Sequence, residues 1–255
     1  MSFNANGIRA ATRKGFWDWF HKQNIDVLCI QETKAHESQL DETVLDQSGY
    51  HCWFSDAQKK GYSGVAIYSR AKPVNVIDAL GFEESDTEGR WLMAEYESVN
   101  IASLYLPSGS SSEANQAKKE RFIEKFEPQL KAWASSEKPT IICGDWNIAH
   151  TEKDIKNWKG NLKSSGFLPH EREWVSMLLE QQNWYDGFRL VNQDDLQYTW
   201  WSFRGRAWDN NAGWRIDYHM VNEALKELVV SEEVYRESRF SDHAPLTLEY
   251  DFKLS

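Results

Sequence analysis

The stretch Thr140–His150 reads Thr-Ile-Ile-Cys-Gly-Asp-Trp-Asn-Ile-Ala-His. Apolar and β-branched residues run into Gly144, the carboxylate of Asp145 follows, and the amide of Asn147 stands two positions on. A short apolar run that closes on glycine reads as a core strand ended by a turn. Side chains alternate along a strand, so Asp145 and Asn147 are expected to point the same way. A carboxylate and an amide delivered together to one sheet edge can hold a hard metal ion and a phosphate oxygen. Taken alone, the segment reads equally well as a strand and an ordinary turn, because Asp and Asn favour turns for local reasons.

The rest of the chain repeats the pattern. Asp26–Gln31 is a buried run, Val-Leu-Cys-Ile at its heart, that ends at Glu32; Trp214-Arg-Ile-Asp-Tyr carries Asp217 on a strand; Ser241-Asp-His-Ala-Pro puts Asp242 and His243 ahead of the last strand, Leu246–Tyr250. Paired strands are expected over 50–54 and 64–68, around a loop with Lys59 and Lys60 as candidate phosphate contacts. Further strands are expected over 74–80, 90–96, 99–105 and 198–203. Helical spacing marks 10–23, with Phe16, Trp19 and Phe20 on one face. The same spacing marks 110–133, with Phe122, Phe126, Leu130 and Trp133. A third helix opens near Pro169. Between them, 151–166 is a polar loop with Asn157 and Asn161, of a length that is often functional. Short strands punctuated by helices fit one α/β domain over 1–255, built on packed sheets.

Composition narrows the partners. The net charge is −10 with a pI near 5.2. That balance argues against non-specific coating of DNA, for which a basic chain is expected. The three cysteines have no metal-ligand spacing and fit a reducing compartment. No apolar run approaches the ~18–20 residues of a membrane span, and no charged-then-apolar leader opens the chain. A cytoplasmic location and no membrane partner are expected.

Glu32, Asp145, Asp217 and Asp242 therefore recur at strand ends, with His243 beside the last. Carboxylates that converge repel one another, so a proton or a cation must sit among them. With oxygen-rich ligands and no Cys or His cluster, that cation is expected to be Mg²⁺ or Mn²⁺. Such a site suits phosphoryl chemistry: one carboxylate activates water while amides or His steady the phosphate. No Walker-type loop or Gly-rich dinucleotide motif is present.

Several ordered blocks are now on the page: Ser-Phe-Asn-Ala-Asn-Gly-Ile-Arg, Gln-Glu-Thr-Lys, Gly-Asp-Trp-Asn-Ile, Gly-Phe-Leu-Pro-His-Glu-Arg, Trp-Arg-Ile-Asp-Tyr and Ser-Asp-His-Ala-Pro. With them the chain resembles, over essentially its whole length, the exonuclease III family of abasic-site endonucleases. These stand within the larger group of metal-dependent endonuclease/exonuclease/phosphatase folds. The resemblance implies a four-layer α/β sandwich, two sheets face to face with helices outside, and one or two Mg²⁺ or Mn²⁺ ions. It implies Glu32 as the principal metal carboxylate, with Asn4 and Asp242 beside it. Asp145 is the implied activator of water and can also touch metal. Asn147 is the implied holder of the scissile phosphate and a neighbour of the metal. It implies His243, oriented by Asp217, as a phosphate hydrogen-bonder, and Tyr105 as a phenol near the phosphate. Trp200, Trp214 and Ile216 are the implied pocket for a base-less sugar flipped from the duplex. Asn157 and Asn161 are implied contacts to the DNA backbone, and the implied substrate is double-stranded DNA with abasic sites or 3′ ends. The blocks Leu-Pro-Ser-Gly and Asp154-Ile-Lys-Asn-Trp-Lys and the stretch 246–255 look most like a branch called catabolite repression control proteins. That branch works with RNA and an RNA chaperone in translational repression. This chain keeps Tyr105, Asp145, Asn147 and Asp242, where that branch carries replacements. The enzyme is the first expectation and the regulator its alternative.

Overall fold

The computed structural model describes all residues from Met1 to Ser255. Its strands are β1 (Ser2–Asn4), β2 (Val27–Gln31), β3 (His51–Ser55), β4 (Val65–Ser69), β5 (Asn75–Ile77), β6 (Trp91–Glu95), β7 (Asn100–Tyr105), β8 (Thr140–Asp145), β9 (Trp184–Asp186), β10 (Asp217–Asn222), β11 (Val229–Val234) and β12 (Leu246–Tyr250). They form two six-stranded sheets, ordered β11-β12-β1-β2-β4-β3 and β5-β6-β7-β8-β10-β9. Helices α1 (Ile8–Arg13) and α2 (Phe16–Phe20) cover the first sheet with α3 (Glu42–Leu45). On the second sheet lie α4 (Glu83–Asp86), α5 (Glu113–Ala134) and, after the short α6 (Trp158–Asn161), α7 (Pro169–Gln181); α8 (Gly187–Val191) follows β9. The result is the expected α/β sandwich of four layers.

Alternation along the strands fills those layers. Cys29, Ile67, Leu92, Ile101, Ile141, Cys143 and Val221 face inward and make the core between the sheets. Leu28, Ile30 and Tyr68 face outward and meet Phe16, Trp17 and Phe20 of α2. On the other outer face, Trp91, Ile142, Tyr218 and Met220 pack with Phe122, Phe126 and Leu130 of α5 and Val175 and Leu178 of α7. Strands β2, β4 and β8 are buried on both faces, so they read as near-continuous apolar runs and not as alternation.

Only two strand pairs are parallel, β1 with β2 and β7 with β8. Each is joined through helices, α1 and α2 in the first case and α5 in the second, as a parallel pair requires. Both pairs end at the same mouth of the sandwich, where open α/β sheets place their ligands. At that mouth the inward-facing rows turn polar: Asn4 on β1, Gln31 on β2, Asp145 on β8 and Asp217 on β10. A cavity of about 480 Å³ opens at the opposite mouth, lined by Met1, Val27, Cys29, Cys143 and His219; it contains none of the strand-end acids.

Three sequence expectations change. The helix expected over 10–23 is broken by Gly15, which adopts a left-handed conformation at φ 83°. The run over 198–203 is not a strand; Trp200 makes only single bridges, to Trp214 and to His243. The segment 151–166 is not structureless, since a 3₁₀ turn at Glu152–Asp154 and α6 lie within it. In each case a local backbone constraint or a single long-range pairing overrides the side-chain pattern.

Gly144 is fixed by close approach. Its φ is +147°, and a β-carbon there would stand 1.9 Å from the carbonyl oxygen of Leu104 on the neighbouring β7. That neighbour is ladder backbone and cannot swing away. Gly144→Ala is expected to cost roughly 3 kcal/mol or more, the upper range of overpacking. Urea unfolding checks this, and a midpoint equal to wild type would refute it.

Candidate active site

Asn4 brings the site together. Its side-chain amide is fully buried and donates from Nδ2 to Glu32 Oε1 and to Asp145 Oδ2, each at 2.9 Å. Glu32 belongs to the first sheet and Asp145 to the second, so one amide spans both. Glu32 reaches that position from a left-handed residue just past β2, φ 52°. Its other oxygen pairs with Lys34 Nζ at 2.7 Å.

Asp145 Oδ1 accepts the backbone N–H of Asn147 at 2.9 Å. The two side chains are therefore neighbours through a turn, not through strand alternation as the sequence suggested. Asn147 lies beyond β8 with φ 51°, a conformation that Asn tolerates better than most residues. Its Nδ2 donates to the Leu106 carbonyl at 2.8 Å. Across the sheet, Asp145 is in register with Tyr105 on β7 and with Asp217 on β10.

His243 comes from the other sheet's last connection. Its Nδ1 lies 2.8 Å from Asp217 Oδ2, which fixes the tautomer with the proton on Nδ1. Nε2 then faces Asp145 Oδ2 at 3.8 Å. Burial alone would favour the neutral ring, but Asp217, with Asp145 and Asp242 adding to it, outweighs that and pushes His243 up to about 10. Burial raises the Asp145 carboxyl to about 8; His243 opposes the rise, while Asp217 and Glu32 add to it. Burial likewise raises the Tyr105 phenol well above its ordinary value, Glu32 adding and Arg90 opposing, so it stays protonated. Arg90 lies beneath that ring, 4.7 Å from its centroid, and donates from Nη1 to the Tyr105 carbonyl at 3.1 Å.

Glu32, Asp145 and His243 each offer a ligand atom, all within 4.8 Å of one another. This donor set, with Asn4 beside it, fits a metal ion, and its oxygens suit a hard one. Asp242 stands outside that tight cluster. Its oxygens accept from Asn6 Nδ2 at 2.9 Å, from Ser241 Oγ at 3.0 Å and from Trp200 Nε1 at 3.0 Å. Despite burial, His243 and these donors hold it below the ordinary carboxylate value. Asn6 also accepts from Lys34 Nζ at 2.5 Å, so a hydrogen-bonded chain runs from Glu32 through Lys34 and Asn6 to Asp242.

An apolar wall stands beside His243. Trp200 and Trp214 meet edge to face at 6.1 Å, and Trp200 lies 6.5 Å from the His243 ring. Ile216 packs in the same cluster with Ala149, Ile155 and Phe167. Asn157 is exposed and Asn161 half-buried. The Asn161 amide donates to the Asn157 carbonyl at 2.9 Å and accepts from Ser164 Oγ at 3.0 Å, which shapes the loop between them. Lys59 and Lys60 are exposed on a loop tied toward Tyr105 through Tyr62 and Arg90.

The sequence-predicted residues thus lie around one mouth, except Asn157 and Asn161, which stand on the loop that ends at Gly166 against Trp214. The reading missed Asn6, Lys34 and Arg90. Of the cations that sit among the strand-end acids, His243 was legible and Lys34 was not. Lys34 sits inside the Gln-Glu-Thr-Lys block, where a cation two residues from a strand-end acid was the available signal. Arg90 had none, because its role depends on pairing with Tyr105 across the antiparallel β6–β7 ladder, fifteen residues on.

The comparisons with known proteins agree with this geometry. Residues 1–243 match the Endonuclease/Exonuclease/phosphatase family. The chain is 38% identical to the exodeoxyribonuclease of Bacillus subtilis over 260 residues, covering 97% of each protein. It is 37% identical to the DNA repair nuclease APEX1 of Danio rerio, covering 97% of this chain and 80% of that one. The structure of an AP endonuclease from Archaeoglobus fulgidus superposes with a TM-score of 0.90 at 26% identity, covering 98% of each chain. A 3′-5′ exonuclease from Neisseria meningitidis superposes at 0.88 and 26% identity, also covering 98% of each. The chain belongs to the Endonuclease/Exonuclease/phosphatase family. Within that family it is an enzyme of the exodeoxyribonuclease and AP endonuclease kind.

The wall rests on a buried ionic network. Asp154 Oδ1 accepts from Arg215 Nε and from Arg189 Nη2, both at 2.7 Å, and Arg215 pairs with Asp186 at 2.7 Å. Arg215 lies between Trp214 and Ile216, so the network fixes both. These guanidiniums hold the Asp154 carboxyl well below its ordinary range against the upward push of burial. A depressed folded-state pKa contributes stability above the unfolded value, about 3.9 for Asp. That contribution is lost as pH falls below it. Asp154→Asn is expected to destabilise by about 3–5 kcal/mol at neutral pH, the cost of breaking a buried pair. Its stability should also fall less steeply than wild type below about pH 4. Denaturant titrations across pH test both, and parallel acid limbs would contradict the assignment.

Proposed function

We propose that this enzyme is a Mg²⁺- or Mn²⁺-dependent phosphodiesterase acting on DNA, incising at abasic sites and trimming 3′ ends. The observation that carries the reading is the Glu32–Asp145–His243 cluster, tied by Asn4, beside the Trp200–Trp214–Ile216 wall. A divalent ion held by Glu32 with Asn4 and Asp145, and with Asp242 and Asn147 close by, would polarise a phosphate oxygen and offset developing charge. With the burial that raises it offset by such an ion, the Asp145 carboxylate is ionised and can take the proton of the attacking water. His243, fixed by Asp217, turns Nε2–H toward a phosphate oxygen and counters charge as it builds. Asn147 has an amide hydrogen left for the same phosphate, and Tyr105 offers a phenolic hydrogen.

The wall supplies discrimination. Trp200, Trp214 and Ile216 present apolar surface that a bare deoxyribose can contact and that leaves the hydrogen-bonding edges of a normal base unpaired. Asn157 and Asn161, on the loop that closes at Gly166, would contact the flanking phosphates. The regulatory alternative, assembly on RNA with a chaperone, has no observation in its favour.

The test is cleavage of a duplex with one abasic-site analogue, alongside intact duplex and single-stranded RNA. Activity should require added Mg²⁺ or Mn²⁺ and vanish with a chelator. Asp145→Asn should lower turnover by roughly two to four powers of ten, the scale of general-base assistance, with substrate binding affected less. Trp214→Ala should narrow the preference for abasic over intact duplex. Wild-type turnover in Asp145→Asn, or metal-independent cleavage, would overturn the reading.

A further inference from the structure

Lys119 and Glu171 form an ion pair with no exposed surface, Nζ to Oε1 2.6 Å. Replacing such a pair by apolar residues is often neutral or stabilising, so stability alone does not explain it. Its backbone contacts lead to the catalytic mouth. Lys119 Nζ donates to the backbone carbonyl of Asn147 at 2.8 Å. Glu171 Oε2 accepts the backbone N–H of Gly166 at 2.7 Å and of Leu168 at 3.0 Å. Gln116, one helical turn from Lys119, donates to Glu171 Oε1 at 3.1 Å.

The segments held in this way carry different parts of the site. Asn147 is the left-handed residue whose backbone N–H holds Asp145. Gly166 accepts from the Ala149 N–H at 2.8 Å, and a β-carbon on it would stand 3.3 Å from the Trp214 ring. Gly166 also closes the loop that bears Asn157 and Asn161. The catalytic turn and the segment backing the apolar wall are thus fastened to one buried charge pair on α5 and α7.

We propose that Lys119 and Glu171 are positioning residues, which hold the Asn147 turn in its strained conformation and keep it in register with the substrate wall. The ammonium does so through a charge-assisted hydrogen bond to a carbonyl, which fixes the peptide plane on the far side of the Asn147 side chain. Left-handed backbone at a non-glycine residue, even an Asn, persists where its surroundings over-determine it. Burial lowers the Lys119 pKa, with Glu171 opposing, as expected for an ammonium kept in an apolar layer for its geometry. The inference rests on the nuclease reading.

The test uses K119M/E171Q. It removes both charges, fills the space of the lysine stem, and leaves an amide oxygen to accept from Gly166 and Leu168. Steady-state kinetics on the abasic duplex would compare wild type, K119M/E171Q, N147A and the triple variant. K119M/E171Q is expected to fold, with a melting midpoint within about 4 °C of wild type. Its kcat should fall by ten- to a hundredfold, the scale of a misplaced catalytic group, with KM changing much less. N147A should cost far less in that background than alone, because residues acting as a unit are not additive. A folded K119M/E171Q with wild-type kcat, or penalties that simply multiply, would overturn the proposal. If K119M/E171Q does not fold, K119Q/E171Q enters the same cycle under the same criteria. A wild-type enzyme that fails to cut abasic duplex defeats the nuclease reading instead, so the two failures are distinguishable.

Discussion

The site depends on the amide of Asn4. One buried NH₂ group donates both its hydrogens, to Glu32 and to Asp145, and so sets the distance between carboxylates carried by different sheets. Two acids this close repel each other, and a neutral double donor lowers that repulsion without adding a competing charge. The geometry requires Asn4 to face into the sandwich, which follows from β1: Phe3 points outward to Phe16 and the flanking residues point inward. Behind Asn4, Gln31 Nε2 donates to Ser103 Oγ at 3.0 Å and Ser103 Oγ to the Ile30 carbonyl at 2.9 Å. The inter-sheet space is thus locked just below the catalytic layer.

Position and chemistry separate cleanly along the strands. The same inward-facing rows that bury Cys29, Cys143 and Val221 in the core present Gln31, Asp145 and Asp217 at their ends. A strand carries its last side chain in a fixed direction, so the acids on β8 and β10 inherit the stiffness of the ladder. Residues just past the strands are different. Asn6, Glu32, Lys34 and Asn147 all have positive φ between 43° and 52°. Left-handed backbone there turns each side chain back toward the mouth, and polar contacts hold it. A rigid sheet supplies Asp145 and Asp217, and a set of braced turns supplies the groups around them.

This division explains how much the sequence disclosed. Strand-end acids are legible, because a buried strand is an apolar run and an acid after it stands out. Glu32 and Asp145 stand out in that way, while Asp217 and Asp242 were read ahead of or at the start of strands, from the blocks that carry them. The α/β sandwich followed from short strands punctuated by helices, and the ordered blocks identified the family. The braces were not legible. Lys119 and Glu171 are 52 residues apart on different helices and look like any lysine and glutamate on amphipathic helices. The turn that brings Asn147 beside Asp145 was read as strand alternation, because left-handed φ at an Asn leaves no pattern in the neighbours. Trp200 was placed on a strand, though one bridge on each side is all that holds it.

The central claim is that this mouth exists to hold a divalent cation against a phosphate. Lys34 gives Glu32 one positive partner at 2.7 Å, yet Asp145 and Glu32 still share the edge with only His243 and Asn4 between them and Asp217. The most direct measurement is anomalous diffraction from crystals equilibrated with millimolar Mn²⁺. The account predicts a peak bonded to Glu32, with Asp145 and Asp242 close enough to share the ion or its water. A mouth without such a peak, with Glu32 still paired to Lys34, would contradict it.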